Sequence, residues 1–140
     1  MKIITVDQST AMADCCLAAG YEAECCTDEV KALHVVESMQ PALILVNHAV
    51  RGMETPDYLQ MLLDSAPNAS IVVVGQSLSD ESVVQCLLVG AKGYLDLYQL
   101  PLYLPKLVDV LMRGEAWVSR KLVSRLLDAI RMMTAETQAV

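Results

Sequence analysis

The feature that most constrains the fold is a continuous apolar run of four residues, Leu43–Val46, which ends at the polar pair Asn47-His48. A run with no polar residue on either side of the pleat is typical of a strand buried on both faces, as in parallel sheets. Short runs of the same kind occur at Lys2–Val6 and Ser70–Val74. The sequence therefore predicts a parallel sheet whose third strand ends in polar side chains.

Segments with helical spacing alternate with the predicted strands along the chain. The strands are Lys2–Val6, Glu22–Cys26, Leu43–Asn47, Ser70–Val74 and Gly93–Leu95. The helices are about Ser9–Ala19, a helix capped by Thr27 that reaches Met39, Thr55–Ser65, Ser79–Val89 and Leu102–Met112. Five β-α pairs predict a doubly wound, flavodoxin-like α/β domain with strand order 2-1-3-4-5.

Composition narrows the class of protein. The chain has 140 residues, of which 54% are hydrophobic and 19% charged, which suits one compact domain. Its net charge of −7 argues against direct binding of nucleic acid. No apolar run approaches the ~18 residues of a membrane span, and no signal-peptide pattern opens the chain. We expect a cytoplasmic protein that contacts neither membrane nor nucleic acid, with its five cysteines reduced.

Three segments carry a resemblance to a known family. They are Ile3–Ser9 (IITVDQS), Pro41–Met53 (PALILVNHAVRGM) and Gly90–Leu97 (GAKGYLDL). In this order and spacing they resemble the CheY-like receiver domain of two-component response regulators, over roughly Met1–Met112. Gly114–Arg120 is similar to the linker that follows receivers in regulators of the LuxR type. The resemblance implies a receiver-like domain at 1–113 and a linker helix with its tail at 114–140.

The resemblance also implies where the phosphorylation site would lie. Receivers use an acidic pair for Mg²⁺, a nucleophilic aspartate, a hydroxyl and a lysine. Asp7 matches the first acidic position. The other four positions have lost their chemistry and fall on Gln8, Asn47, Gly75 and Leu97. We therefore expect a degenerate receiver that is not phosphorylated, has no catalytic residue and no cofactor, and binds metal at most weakly through Asp7.

Two neighbours of these positions could be imagined to replace the lost groups. His48 could accept a phosphoryl group, but we interpret it as an ordinary, partly buried histidine. Ser77, two residues past Gly75, could supply a displaced hydroxyl, although it would have no phosphoryl group to contact.

A surface for partners remains in this interpretation. Tyr94 matches the aromatic residue that changes rotamer in active receivers. The region of about Ser79–Met112 corresponds to the face that family members use for dimers. Tyr98 and Leu102 add apolar surface to it and are candidate interface residues.

Two functions stay open. The first is signal transduction or transcription regulation through protein–protein interaction or dimerisation. The alternative is a sensor whose vacated pocket holds a small, uncharged or amphiphilic molecule, because Asn47, Gly75 and Leu97 make that pocket roomier and less charged.

The last predicted helix, about Val118–Met133, carries a single apolar stripe that includes Leu122 and Leu126. Because an isolated helix of this length is marginal in water, the stripe must be buried, either on its own domain or against the same helix of a second chain. We favour the second arrangement, a homodimer with Leu122 and Leu126 in the interface.

Overall fold

The computed structural model describes residues 1–138 and forms one five-stranded parallel sheet of order β2-β1-β3-β4-β5, as predicted. The strands are β1 (Ile3–Val6), β2 (Ala23–Cys26), β3 (Leu43–Asn47), β4 (Ser70–Gly75) and β5 (Gly93–Asp96). The helices are α1 (Ala11–Ala18), α2 (Glu29–Met39), α3 (Thr55–Ser65), α4 (Asp80–Val89), α5 (Leu100–Met112) and α6 (Arg120–Gln138).

The sheet is buried on both faces, which explains the continuous apolar runs in its strands. Alternate residues of β3 point to opposite sides: Ile44 packs on the side of α2, α3 and α4, whereas Leu45 packs on the side of α1 and α5. Both side chains have no exposed surface. This two-sided burial fixes the strands and brings their carboxyl ends to one edge of the domain.

Several predicted helix starts were wrong by one or two residues, among them those of α2 and α5. The N-cap of α2 is Asp28 and not Thr27, because Asp28 has an extended backbone and its carboxylate accepts from the N–H groups of Val30 and Lys31. Those two bonds hold the pKa of Asp28 below its usual range. Helix α5 begins at Leu100, two residues earlier than expected, with a proline in its first turn, where no N–H is missed.

Helix α6 lies on its own chain, against α4. Its side chain Leu122 is 8% exposed and belongs to the core cluster on that side of the sheet, and Leu126 packs on the same cluster. In the structure of the single chain the apolar stripe is docked on its own domain, and a dimer interface at Leu122 and Leu126 stays a prediction. Three apolar residues beside the docked stripe stay 43–46% exposed: Val123, Leu127 and Ile130.

The connection between α5 and α6 adds a single β-bridge to the edge of the sheet, where Trp117 pairs in parallel with Gly93 of β5. The Trp117 ring also packs near Tyr103 of α5, with 6.0 Å between the ring centroids. Among the residues that the structure describes, no helix is long and apolar enough to span a bilayer.

Candidate functional site

The centre of the site is a hydrogen bond between two neighbouring strand ends. Asp7 follows β1 and Asn47 ends β3, and these strands pair in parallel through Val6 and Val46. The Asn47 Nδ2–H donates to Asp7 Oδ1 at 3.2 Å. The other half of the Asn47 amide is also engaged, since its Oδ1 accepts from the Ala49 N–H at 2.9 Å and caps the turn after β3. Asn47 therefore connects the two strand ends and leaves neither half of its amide unpaired.

Asp7 is almost fully enclosed, with 7% of its surface exposed. Its second oxygen, Oδ2, accepts from the Ser9 hydroxyl at 3.4 Å. A buried carboxylate needs such partners because its desolvation is otherwise costly. Gln8, the expected neighbour in the pocket, is exposed and lies beside a separate depression lined by Asp28 and Glu29. The structure thus gathers Asp7 and Asn47 but directs Gln8 elsewhere.

The space over Gly75 is already filled. A Cβ built on Gly75 would lie 2.8 Å from Leu78 Cγ and 2.9 Å from Leu78 Cδ1, closer than real Cβ contacts allow. Leu78 itself packs against the core cluster on the α4 side of the sheet. The volume that a threonine or serine side chain would need at position 75 is therefore occupied by leucine. Sequence analysis could not find this contact, because it depends on the path of the loop after β4.

The loop between β4 and α4 is held by two side chains of β5. The Tyr94 hydroxyl accepts from the Leu78 N–H at 3.3 Å and donates to Asp96 Oδ1. Asp96 Oδ1 also accepts from the Ser77 N–H at 3.3 Å, at a residue with a left-handed backbone (φ 52°). Burial, followed by the bond to Asp96, raises the pKa of Tyr94 to about 12. Tyr94 is consequently tied to the loop, and the Ser77 side chain is exposed.

Leu97 occupies the turn after β5, where the resemblance implies a lysine. It is partly buried and packs on the core cluster of the α1 and α5 side. Beside it lies a shallow depression of about 380 Å³, lined by Gly75, Gln76, Ser77, Leu97 and Tyr98. Tyr98 is 71% exposed, so the depression opens directly to solvent. No cation stands among these lining residues, and an anionic group there would meet an apolar wall.

The turn after β3 is tied down by an arginine that the sequence analysis missed. Arg51 forms ion pairs with Glu29 of α2 at 3.3 Å and with Glu54 at 3.0 Å. Its guanidinium lies 5.7 Å from the ring centroid of Tyr58, a fully buried residue of α3. His48, at the start of this turn, is half-buried, and burial lowers its pKa below the usual value. The turn is thus fixed by contacts that involve no phosphoryl group.

The chemistry that this arrangement allows is limited. Asp7 is the one carboxylate beside Asn47, and both of its oxygens have hydrogen-bond donors from the protein. Within residues 1–138, no three His, Cys, Asp or Glu side chains are grouped as metal ligands. An amide does not supply the nucleophilic oxygen of a carboxylate. The site is therefore arranged as a set of internal contacts.

Comparison with solved structures identifies the fold. A LuxR-family two-component response regulator from Aurantimonas sp. SI85-9A1 superposes with a TM-score of 0.73 at 16% identity, covering 91% of this chain and 96% of that one. The isolated REC domain of RcsB from Salmonella enterica serovar Typhimurium gives 0.70 at 16% identity, covering 90% and 97%. Chemotaxis protein CheY4 of Vibrio cholerae gives 0.67 at 22% identity, covering 77% and 95%. The chain thus has the CheY-like, flavodoxin-type fold.

One curated relative adds a similarity in sequence. The nitrate/nitrite response regulator protein NarL of Escherichia coli strain K12 is 32% identical over 108 residues, which are 77% of this chain and 50% of that protein. The chain therefore spans about half the length of the curated relatives it matches. No protein-family model matches the chain.

Proposed function

We propose that this chain is a non-phosphorylatable receiver-like domain that acts in signal transduction or transcription regulation by associating with a protein partner. The observation that carries the proposal is the Asn47 amide, which stands at the nucleophile position and is hydrogen-bonded to Asp7 at 3.2 Å. In a receiver, this position would carry the phosphoryl group. Here it acts as a structural link between β1 and β3.

Three further contacts support this proposal. Leu78 lies over Gly75, so a side chain at position 75 would require Leu78 to move. Leu97 packs into the core and brings no positive charge to stabilise a transferring phosphoryl group. Tyr94 and Asp96 hold the loop after β4 without any phosphoryl oxygen. These contacts support structural roles for Gly75, Leu97 and Tyr94 in place of roles in phosphorylation.

The test is direct labelling. The chain is incubated with acetyl phosphate and Mg²⁺ beside a receiver with a complete acidic site, and both are measured by intact mass. We expect a phosphorylated species for the control receiver alone. A phosphorylated form of this chain that disappears in Asn47→Ala would contradict the proposal. We also expect no labelling of Asn47→Asp alone, because Gln8, Gly75 and Leu97 still lack their roles.

The surface that we propose for a partner lies at the start of α5. Tyr98 and Leu102 are both 71% exposed, large apolar or aromatic side chains with no core role. Affinity capture from the native cell, with wild type beside Tyr98→Ser/Leu102→Ser, tests this assignment. The bound proteins should be lost in the double variant while its circular dichroism stays that of wild type. Retention of the same proteins would remove this surface from the proposal.

The second candidate is small-molecule sensing, favoured by the depression of about 380 Å³ beside Leu97 and Tyr98. Its open, largely apolar wall suits a neutral or amphiphilic ligand. A thermal-shift screen of metabolites would show a saturable stabiliser that is lost in Leu97→Lys, since a ligand raises the melting temperature only where it binds the folded state. A screen without such a hit would leave association as the function.

A further inference from the structure

The C-terminal segment (residues 114–138) lies on the body of the domain (residues 1–113) at two places. The first is the edge of the sheet. The Trp117 N–H donates to the Lys92 carbonyl at 2.8 Å, and the Trp117 carbonyl accepts from the Tyr94 N–H at 3.2 Å. Both body groups lie on the outer side of β5, where an edge strand would otherwise offer them to another chain. The segment thus occupies a strand-pairing position.

Gly93 is fitted to this contact. A Cβ built there would lie 2.5 Å from the Trp117 carbonyl oxygen and 2.8 Å from Trp117 Cβ. Its three nearest atoms all belong to Trp117. A methyl group at position 93 would therefore obstruct the segment while meeting none of the body's own atoms as closely.

The second contact is the packing of α6 against α4. Leu122 is buried there, and Asp80 at the start of α4 faces two cations: Lys121 Nζ at 3.0 Å and Arg125 Nη2 at 3.9 Å. The charges are complementary on a larger scale as well. Residues 1–113 carry 6 basic and 14 acidic side chains, a net charge of −8, whereas residues 114–140 carry 4 basic and 3 acidic, a net charge of +1. The surface suits an extended residue followed by a basic amphipathic helix.

The covalent link between body and segment is a narrow turn at Gly114. Its backbone is left-handed (φ 81°), and a Cβ built there would meet no atom within 4 Å. The flanking Arg113 and Glu115 are 58% and 61% exposed. The segment's other contacts are non-covalent, and their chemistry is the same whether the segment comes from the same chain or from another. Exchange requires this turn to open, which breaks the bonds from the Gly114 and Glu115 N–H groups to the Leu111 and Val110 carbonyls.

We propose that the surface formed by the β5 edge and α4 binds the C-terminal segment of a second copy of this chain, giving a dimer by exchange of residues 114–138. The proposal rests on the proposed association function and adds a second copy of the chain as a partner, at a surface separate from Tyr98 and Leu102. Closure within one chain dominates at low concentration, because the linked segment has an effective concentration in the millimolar range. Exchange therefore increases with protein concentration, and variants that prevent closure within one chain expose it.

The experiment mixes two chains that are each unable to close. Gly93→Ala obstructs the surface at the β5 edge but leaves the C-terminal segment intact. Leu122→Glu prevents the segment from packing on α4 but leaves that surface intact. Trp117 is the single tryptophan of the chain, so its fluorescence emission shows whether the segment is bound at the β5 edge. At about 100 µM, within reach of weak associations, each variant alone should sediment as a monomer with red-shifted emission. The mixture should form a 1:1 heterodimer and recover part of the blue shift.

Two results would overturn the proposal. One is a mixture that remains two monomers with additive emission, because the surface would then accept the segment only within its own chain. The other is either variant forming as much dimer alone as in the mixture, because a different interface, such as the exposed Val123 and Leu127, would then explain association. Circular dichroism of each variant confirms that the body is folded before mixing.

A second pair of variants tests exchange by reversing the charges of the Asp80 ion pairs. In the Asp80→Lys chain, the new lysine repels Lys121 and Arg125 of its own segment. In the Lys121→Asp/Arg125→Asp chain, the two new aspartates are repelled by Asp80. When the two chains exchange segments, opposite charges face each other at both contacts. Mixing should give a heterodimer at low ionic strength that 0.5 M salt weakens. The chain with all three substitutions is the control and should stay monomeric with wild-type emission. Unchanged emission on mixing would count against exchange. Acetyl phosphate labelling reports on Asn47 alone, so failure here and failure of the proposed function are distinguishable.

Discussion

Polar groups are satisfied in different ways at the carboxyl ends of the central strands β1 and β3 and along the outer side of β5. At β1 and β3, Asp7 is paired by Asn47 and Ser9, all within the body of the domain. At β5, the outer backbone groups of Lys92 and Tyr94 are paired by Trp117 of the C-terminal segment. The first set of contacts is fixed by neighbouring strands of the sheet. The second depends on a segment joined through one glycine turn.

The difference is between side chains paired within the sheet and backbone groups paired by a segment outside it. Around Asn47, the polar side chains at the ends of β1 and β3 are hydrogen-bonded to one another and to their own turns. Around Gly93, the sheet ends in a surface that fits a particular segment without being part of the same rigid layer. The pocket should therefore respond to substitution by losing stability, and the β5 edge by releasing a helix.

The largest effect is expected at Gly75. Gly75→Thr restores the hydroxyl of the family pattern but drives its Cβ into Leu78 at 2.8 Å. We expect a loss of about 1–3 kcal/mol in the free energy of unfolding, as for overpacked cores. Urea denaturation measures it, and Gly75→Thr/Leu78→Ala should recover part of the loss. A Gly75→Thr chain as stable as wild type would show that Leu78 moves aside freely.

Asn47→Asp should come next. The change removes the Asn47–Asp7 hydrogen bond and sets two carboxylates at that distance, which costs about 1–2 kcal/mol at pH 7. Millimolar Mg²⁺ should raise the melting temperature of this variant more than that of wild type, because a cation binds the new pair in the folded state. Asn47→Ala is the control without the second charge. Equal responses to Mg²⁺ in all three proteins would contradict the expected repulsion.

Tyr94→Phe should cost up to about 1 kcal/mol at neutral pH, because Leu78 and Asp96 lose a hydrogen-bond partner. The folded state holds the pKa of Tyr94 at about 12, above the ordinary tyrosine value. As pH rises, the unfolded chain therefore loses this proton before the folded chain does. The stabilisation that the Tyr94 hydroxyl gives to the folded state is complete below about pH 10 and is lost as pH rises through about 12. Stability curves for wild type and Tyr94→Phe should converge over that window. Stability curves that stay parallel over this range of pH would show that ionisation of Tyr94 is not coupled to folding.

The smallest effect is expected at the edge region, from Asp80→Asn. Its partners Lys121 and Arg125 are 70% and 60% exposed, so the loss should be only about 0.2–1 kcal/mol. Trp117 emission during urea titration should show earlier release of the segment, while the circular dichroism transition of the body changes little. The difference should vanish in 0.5 M NaCl. Glu54→Gln, which removes an ion pair with Arg51 away from the segment, is the matched control.

The sequence predicted the strand order and the position of Asn47 because both depend on the pattern of apolar runs and on where each run ends. It could not choose between Thr27 and Asp28 as the cap of α2, since both can cap and only the backbone angles decide. It showed that the α6 stripe must be buried but not on what. Contacts such as Leu78 over Gly75 depend on loop paths that local patterns do not determine.

The close contact between Gly75 and Leu78 affects which substitutions the two positions tolerate. A single substitution that returns a hydroxyl to position 75 meets Leu78, and a single substitution that shrinks Leu78 opens a hole against the core. Each step alone lowers stability, so the fitness effect of one depends on the presence of the other. The two residues therefore form an epistatic pair, in which the effect of a substitution at one position depends on the residue at the other.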